Sequence, residues 1–144
     1  MRFWDSSALL PLFVEEPHSA DVQALVRDDP SMIVWWASHV ECGSAVHRLR
    51  RQGALTTAES ARLLERLGEA MEAAEVVQPG QDLAKIALRL LASHPLRAAD
   101  ALQLAAALVW ARDRPDGRGI VCLDERLASA ALLEGFTVLP SPGH

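Results

Sequence analysis

The chain is short of three things, and each shortage closes off a class of function. It has no long apolar run: the longest, "LAAALVWA" from Leu104 to Ala111, falls far short of the ~20 residues that a membrane-spanning helix needs. It has no excess of positive charge. Nineteen acidic residues face 14 basic ones, for a formal net charge of −5, whereas a protein that coats nucleic acid by electrostatics alone is usually basic. Any contact with nucleic acid must then run through a local basic strip, a metal, or both. Cysteine is scarce as well. Cys42 and Cys122 form no CxxC pair and suggest no disulfide framework, so they read as reduced, partly buried thiols. The N-terminus enters a strand pattern within two residues and carries no signal-peptide pattern; the expected location is the cytoplasm.

What remains is a globular composition. Half of the residues are hydrophobic and 23% are charged, and 144 residues suit one domain, 1–144, with a proper core. Short apolar strand candidates lie at Arg2–Trp4, Met32–Trp36, Val76–Val77, Ile120–Leu123 and Phe136–Leu139, with helical patterns between them. "SSALLPLFVEE" and "HSADVQALVRD" follow the first strand, and Ser19 is the expected N-cap of the second pattern. "SHVECGSAVHRLRRQG" follows the next strand, with Ser38 as the expected cap and Gly53 as the stop. Thr56 and Glu59 form a capping box. "DLAKIALRLL" carries an amphipathic stripe. "AADALQLAAALVWA" is apolar nearly all round and reads as a buried helix. The last helix, Glu125 to Glu134, is closed by Gly135. Strands alternating with helices imply an α/β fold, a parallel sheet flanked by helices on both faces.

In such sheets ligands bind beyond the carboxyl ends of the strands. Asp5 stands at that end of the first strand and Asp124 at that end of "IVCL". Glu41 and Asp100 each fall in the first turns of a helix. Four carboxylates thus converge on one end of one sheet. They repel one another and raise each other's pKa, and a divalent cation removes that conflict. Oxygen donors without a Cys/His set point to Mg²⁺ or Mn²⁺ rather than zinc.

"FWDSSAL", "SHVECGSAVHR", "LRAADALQLAAAL" and "VCLDERLASAA" resemble the four motifs of PIN domains. They are most similar to those of the short VapC-like ribonuclease toxins of type II toxin–antitoxin pairs. The likeness runs from Arg2 to about Leu139, and the third motif is its most specific part. It implies a PIN-like three-layer fold with a five-stranded parallel sheet in the order 3-2-1-4-5. It also implies hydrolysis of RNA phosphodiester bonds with Mg²⁺ or Mn²⁺. Asp5 and Asp100 become the central metal ligands, completed by Glu41 and Asp124 directly or through water. Two positions depart from the family pattern without replacing any of the four acids: Cys122, where members often have Thr or Ser, and Gln103, where many have His. The implied partners are an RNA of the tRNA or ribosomal class, a small cognate antitoxin and a second copy of the chain in a homodimer.

Several residues are candidates for handling substrate. Ser6 and Ser7 can hydrogen-bond Asp5 or a phosphate, or cap a helix. "HRLRR", His47 to Arg51, is the best basic strip; Arg48 and Arg51 share a helical face with Glu41. Arg97, one turn before Asp100, can steady a carboxylate or meet a phosphate. The tryptophans read as core or interface. Other readings fit less well. A zinc deaminase would need the P-C-x-x-C half of its signature, which is absent. A haloacid-dehalogenase-like phosphatase needs an acid where Ser7 stands. A receiver domain needs an acid where Gln78 stands and a late lysine, and Lys85 is the sole lysine. The strongest rival is a PIN fold, weak or inactive in catalysis, that binds RNA or a protein partner.

Overall fold

Phe3 and Trp4 point to opposite faces of one short strand, and both are buried. That alternation organises the molecule, because each face of a pleated strand can seed a separate core. The structure, a computed structural model, describes residues 1–141; the last three residues of the expected domain lie outside the described residues. The chain runs β1 (Arg2–Trp4), α1 (Ser6–Leu9), a 3₁₀ turn (Leu10–Leu12), α2 (Ser19–Asp28), β2 (Met32–Trp35), α3 (Ser38–Arg51), α4 (Thr57–Ala73) and β3 (Glu75–Val77). It continues through α5 (Gln81–Ser93), α6 (Ala98–Trp110), β4 (Gly119–Val121), α7 (Glu125–Glu134) and β5 (Thr137–Leu139). Among the described residues the five strands form one sheet in the order β3-β2-β1-β4-β5, and every pair is parallel. The expected fold class is therefore the observed one.

On one face Phe3, Ile33, Ile120 and Val138 pack against the apolar sides of α5, α6 and α7. On the other Trp4, Val34 and Val121 meet α1, α2, α3 and α4 through residues such as Leu9, Val22, Cys42 and Leu67. Helix α6 lies deepest, with Ala101 and the whole run Leu104–Leu108 buried. Small alanines let it sit close to the sheet. The core fixes the strand ends, and the strand ends fix the site.

The local signals fared unevenly. Thr56 and Glu59 make the expected capping box, each side chain bonded to the other's backbone N–H. Gly53 and Gly135 both take positive φ just past a helix, at +81° and +106°. At Gly135 a Cβ would also come within 3.0 Å of Pro115. Ser19 and Ser38 are not N-caps. Each is the first residue inside its helix and buried. Ser19 donates to the carbonyls of Pro11 and Val14, tying down the preceding loop, while Ser38 faces Gln103. The first helical pattern is also cut short. Pro11 falls in the 3₁₀ turn, where its missing N–H and fixed φ prevent α-helical continuation. Strand β4 ends at Val121 rather than Leu123, because Asp124 already caps the next helix. Of the tryptophans, Trp4 and Trp35 are core, whereas Trp36 is exposed and sets its ring edge-on to that of Trp35.

Candidate active site

Strands β1 and β4 are neighbours in the sheet but far apart in the chain, with the other connections leading away on either side. This is the switch point where parallel sheets open a crevice. The Asp5 backbone N–H still reaches the Val121 carbonyl at 3.0 Å, so the residue leaves β1 in a fixed direction. Its carboxylate caps α1 by accepting from the Ser7 N–H at 3.1 Å. Asp124 caps α7 in the same way, accepting from the Leu127 N–H at 3.0 Å. Glu41 and Asp100 sit in the first turns of α3 and α6. All four acids, with Ser6, Ser7 and Arg48, line one cavity of about 240 Å³, whose apolar wall is Leu10, Cys42 and Ala45.

Burial raises the pKa values of Asp5, Glu41 and Asp100. Asp5 is 4% exposed, and burial, opposed by the Ser7 hydroxyl and N–H and aided by the charges of Glu41 and Asp100, raises it to about 6. Burial also raises Glu41, against the hydrogen bonds of Ser6 and Gln103. It raises Asp100 too, reinforced by the Asp124 charge and opposed by Arg97 and Arg126. Mutual repulsion was expected to lead; desolvation leads instead, because the site is sunk between sheet and helices. The two thiols stay protonated. Burial, with Glu41 and Asp5 nearby, pushes Cys42 to about 12, and Cys122 is driven upward by burial and the Asp5 charge.

Hydrogen bonds explain why the acids stand where they do. The Ser7 hydroxyl donates to Asp5 Oδ2 and accepts the Leu123 N–H at 3.0 Å, linking α1 to the segment after β4. The Ser6 hydroxyl donates to Glu41 Oε2 at 3.0 Å. Neither serine is an N-cap, since Asp5 fills that role. Cys122 Sγ lies 3.4 Å from the Asp124 carbonyl and 3.7 Å from Asp5 Oδ2, so the thiol occupies the seam between the two acids. Arg48 reaches the cavity wall, but Arg51, expected on the same face, does not line it. Helix α3 runs away from the strand ends, and one more turn carries Arg51 out of reach. Arg97 is exposed at the cap of α6 and acts on Asp100 by its charge. Sequence reasoning overlooked Arg126, which does the same, and the role of Ser38. The signal for Ser38 was present: Gln103 is polar in an otherwise apolar helix and needs a partner.

The donor chemistry suits a hard divalent cation: four carboxylates, and thiols that remain protonated. The arrangement is looser than the chemistry. Among the described residues no group of three or more His, Cys, Asp or Glu side chains is placed to hold a metal ion. Glu41 has both oxygens engaged by protein donors, and Asp124 spends Oδ1 on its helix. Beside this cavity lies a larger groove of about 920 Å³ between α2, α7 and β5, which shares Asp124 with it. Among the described residues no helix is long and apolar enough to cross a membrane.

The family model of the PIN domain matches residues 2–131. No curated protein matches the chain in sequence. Among solved structures the fold is similar to FitAcB from Neisseria gonorrhoeae, at a TM-score of 0.67 and 15% identity over 96% of each chain. It is similar to VapC20 from Mycobacterium tuberculosis, a sarcin-ricin-loop-cleaving toxin, at 0.65 and 15% over 90% of this chain and 95% of that one. A toxin–antitoxin complex from Klebsiella pneumoniae gives 0.64 and 17% over 88% of each chain.

Proposed function

The chain belongs to the PIN-domain family, and from that premise we propose that it is a metal-dependent endoribonuclease, the toxin of a type II toxin–antitoxin pair. The observation that carries the reading is the convergence of Asp5, Glu41, Asp100 and Asp124, from four separate elements, on one cavity with Arg48 at its wall. The toxins among its structural neighbours support the biological setting. Asp5 and Asp100 would hold Mg²⁺ or Mn²⁺, with Glu41 and Asp124 completing the shell directly or through water. The ion, when bound, supplies an acidified water and charge neutralisation at the scissile phosphate.

The chain's own residues do the rest. Ser7 fixes Asp5 through Oδ2, and Ser6 fixes Glu41, so the carboxylates meet substrate in set orientations. Arg48 offers a bidentate contact to a phosphate entering over α3, and Arg97 stands at the α6 side of the opening. Without a cation this acidic cavity repels a phosphodiester, which makes RNA binding at the centre depend on the ion. A cognate antitoxin and a homodimer are part of the same proposal.

A second reading has a specific observation in its favour. The absence of a ready three-donor group among the described residues better suits a PIN module that binds RNA or a protein partner without cutting it. Incubating purified protein with structured RNA separates the two. The nuclease reading predicts cleavage with Mg²⁺ or Mn²⁺ that EDTA abolishes and Asp5→Asn lacks. Intact RNA bound equally well with and without metal would establish the second reading instead.

A further inference from the structure

We propose that Gln103 is a positioning residue of the acidic cavity: its amide fixes the carboxylate of Glu41, and Ser38 fixes the amide. The proposal rests on the metal-site reading above. Gln103 is 1% exposed and sits on α6 one turn beyond Asp100. Its Nε2 donates to Glu41 Oε1 at 3.0 Å and to Ser38 Oγ at 2.9 Å, with Ser6 Oγ at 3.5 Å. Ser6 in turn donates to the other Glu41 oxygen at 3.0 Å. Glu41 is thereby gripped from both sides, by residues of α1 and α6.

The other end of the same amide shows what this grip costs. Gln103 Oε1 is buried and has no hydrogen-bond partner, an arrangement that native interiors rarely tolerate without a reason. Turning the amide over would set Oε1 against Glu41 Oε1, two acceptors facing each other, one of them charged. A carboxylate deprived of its donor loses more than a neutral carbonyl left unpaired. The orphan oxygen is therefore the consequence of aiming the N–H groups at Glu41. Packing alone would not place a glutamine here, since the helix that follows, Leu104–Leu108, is wholly apolar and buried. Each carboxylate oxygen accepts more than one hydrogen bond, so the grip orients Glu41 while leaving it capacity toward the cavity.

The test uses the full chain and Mn²⁺ as the probe. Gln103→Met keeps the length of the side chain and removes both amide ends. Calorimetric titration is expected to show Mn²⁺ affinity reduced by about 10–100-fold, the range typical of residues that orient metal ligands. Turnover of RNA should fall while its KM holds. The metal-free melting temperature should fall, because Glu41 and Ser38 lose their donor, so Mn²⁺ affinity is the deciding readout. A purely structural Gln103 lowers the melting temperature with Mn²⁺ affinity unchanged, and that result overturns the proposal. Ser38→Ala provides a second arm, with a smaller loss of affinity in the same direction; an unchanged affinity in both variants likewise overturns it. Asp100→Asn separates the two levels. A wild type that binds Mn²⁺ no better than Asp100→Asn defeats the metal-site reading and this proposal with it. A wild type that binds better, yet no better than Gln103→Met, defeats the positioning role alone.

Discussion

Asp5 and Glu41 are held by side-chain hydroxyls and an amide on the inner side of the cavity, whereas Asp100 and Asp124 stand partly exposed at the starts of α6 and α7. Glu41 owes its position to tertiary contacts from elements distant in the chain, Ser6 and Gln103, while Asp5 is held locally by Ser7, which is itself tied across the chain to the backbone after β4. The outer pair owes its position to local helix geometry, and its charge is tempered by Arg97 and Arg126, which both lower Asp100. All four acids stand at helix starts, but the inner side is also tied together across the chain. Asp5 is poorly solvated and gains most from a counter-ion, while Glu41, Asp100 and Asp124 are only partly buried. This difference can be broken at several points.

The largest effect should come from the inner side. Asp5→Asn keeps shape and hydrogen bonding but removes the most deeply buried charge, and RNA cleavage should fall at least ~100-fold, about 2.7 kcal/mol of barrier. Asp124→Asn should lose less, since its carboxylate is half committed to capping α7. Equal losses in single-turnover assays would erase the distinction between inner and outer acids.

Stability against pH should distinguish them next. The Asp5 pKa is raised in the folded protein, so the folded state holds its proton more tightly than the unfolded chain does. Relative to an unshifted acid, its contribution is fully present below the ordinary aspartate range near pH 4 and is lost as pH rises through about 6. The metal-free wild type should therefore lose about 2–3 kcal/mol relative to Asp5→Asn between pH 4 and pH 7. Denaturant melts at several pH values measure this. Parallel curves for the two proteins would mean that Asp5 is not desolvated as described.

The smallest expected effect concerns substrate approach. In a cleavage-inactive Asp100→Asn background, Arg48→Ala should weaken RNA binding and lower its salt slope by roughly 0.7, the share of one phosphate contact on a single strand. Arg51→Ala should leave the slope unchanged, since Arg51 lies off the cavity. A slope that responds to Arg51 and not to Arg48 would place the RNA path outside the cavity wall.

The sequence disclosed the outer side of the site better than the inner one. Strand ends and helix starts are local features, so the places of Asp5, Asp100, Asp124 and Glu41 at one end of a parallel sheet followed from alternating strand and helix patterns. The grip on Glu41 did not. Gln103 and Glu41 are 62 residues apart, and Ser38 has the local signature of a cap while serving a tertiary contact. Ser19 misled for the same reason, its hydroxyl being drawn back to the loop at Pro11. Helical arithmetic puts Arg48 and Arg51 on one face but carries no information about where the cavity ends, and only Arg48 lines it. Composition likewise signals a crowd of acids, but only the packed structure reveals that burial outweighs their repulsion.

Binding of metal to the four-carboxylate cavity is the claim on which the nuclease reading depends, and thermal unfolding near neutral pH tests it most directly. A ligand that binds only the folded state stabilises it in proportion to its saturation, by about 2.7 kcal/mol at a hundred times its Kd. Saturating Mn²⁺ is expected to raise the melting temperature of the wild-type protein by several degrees, on the order expected for a domain of this size, and to leave Asp5→Asn and Asp100→Asn nearly unmoved. A wild-type melting temperature indifferent to saturating Mn²⁺ and Mg²⁺ would contradict the metal site and leave a PIN fold that binds without cutting.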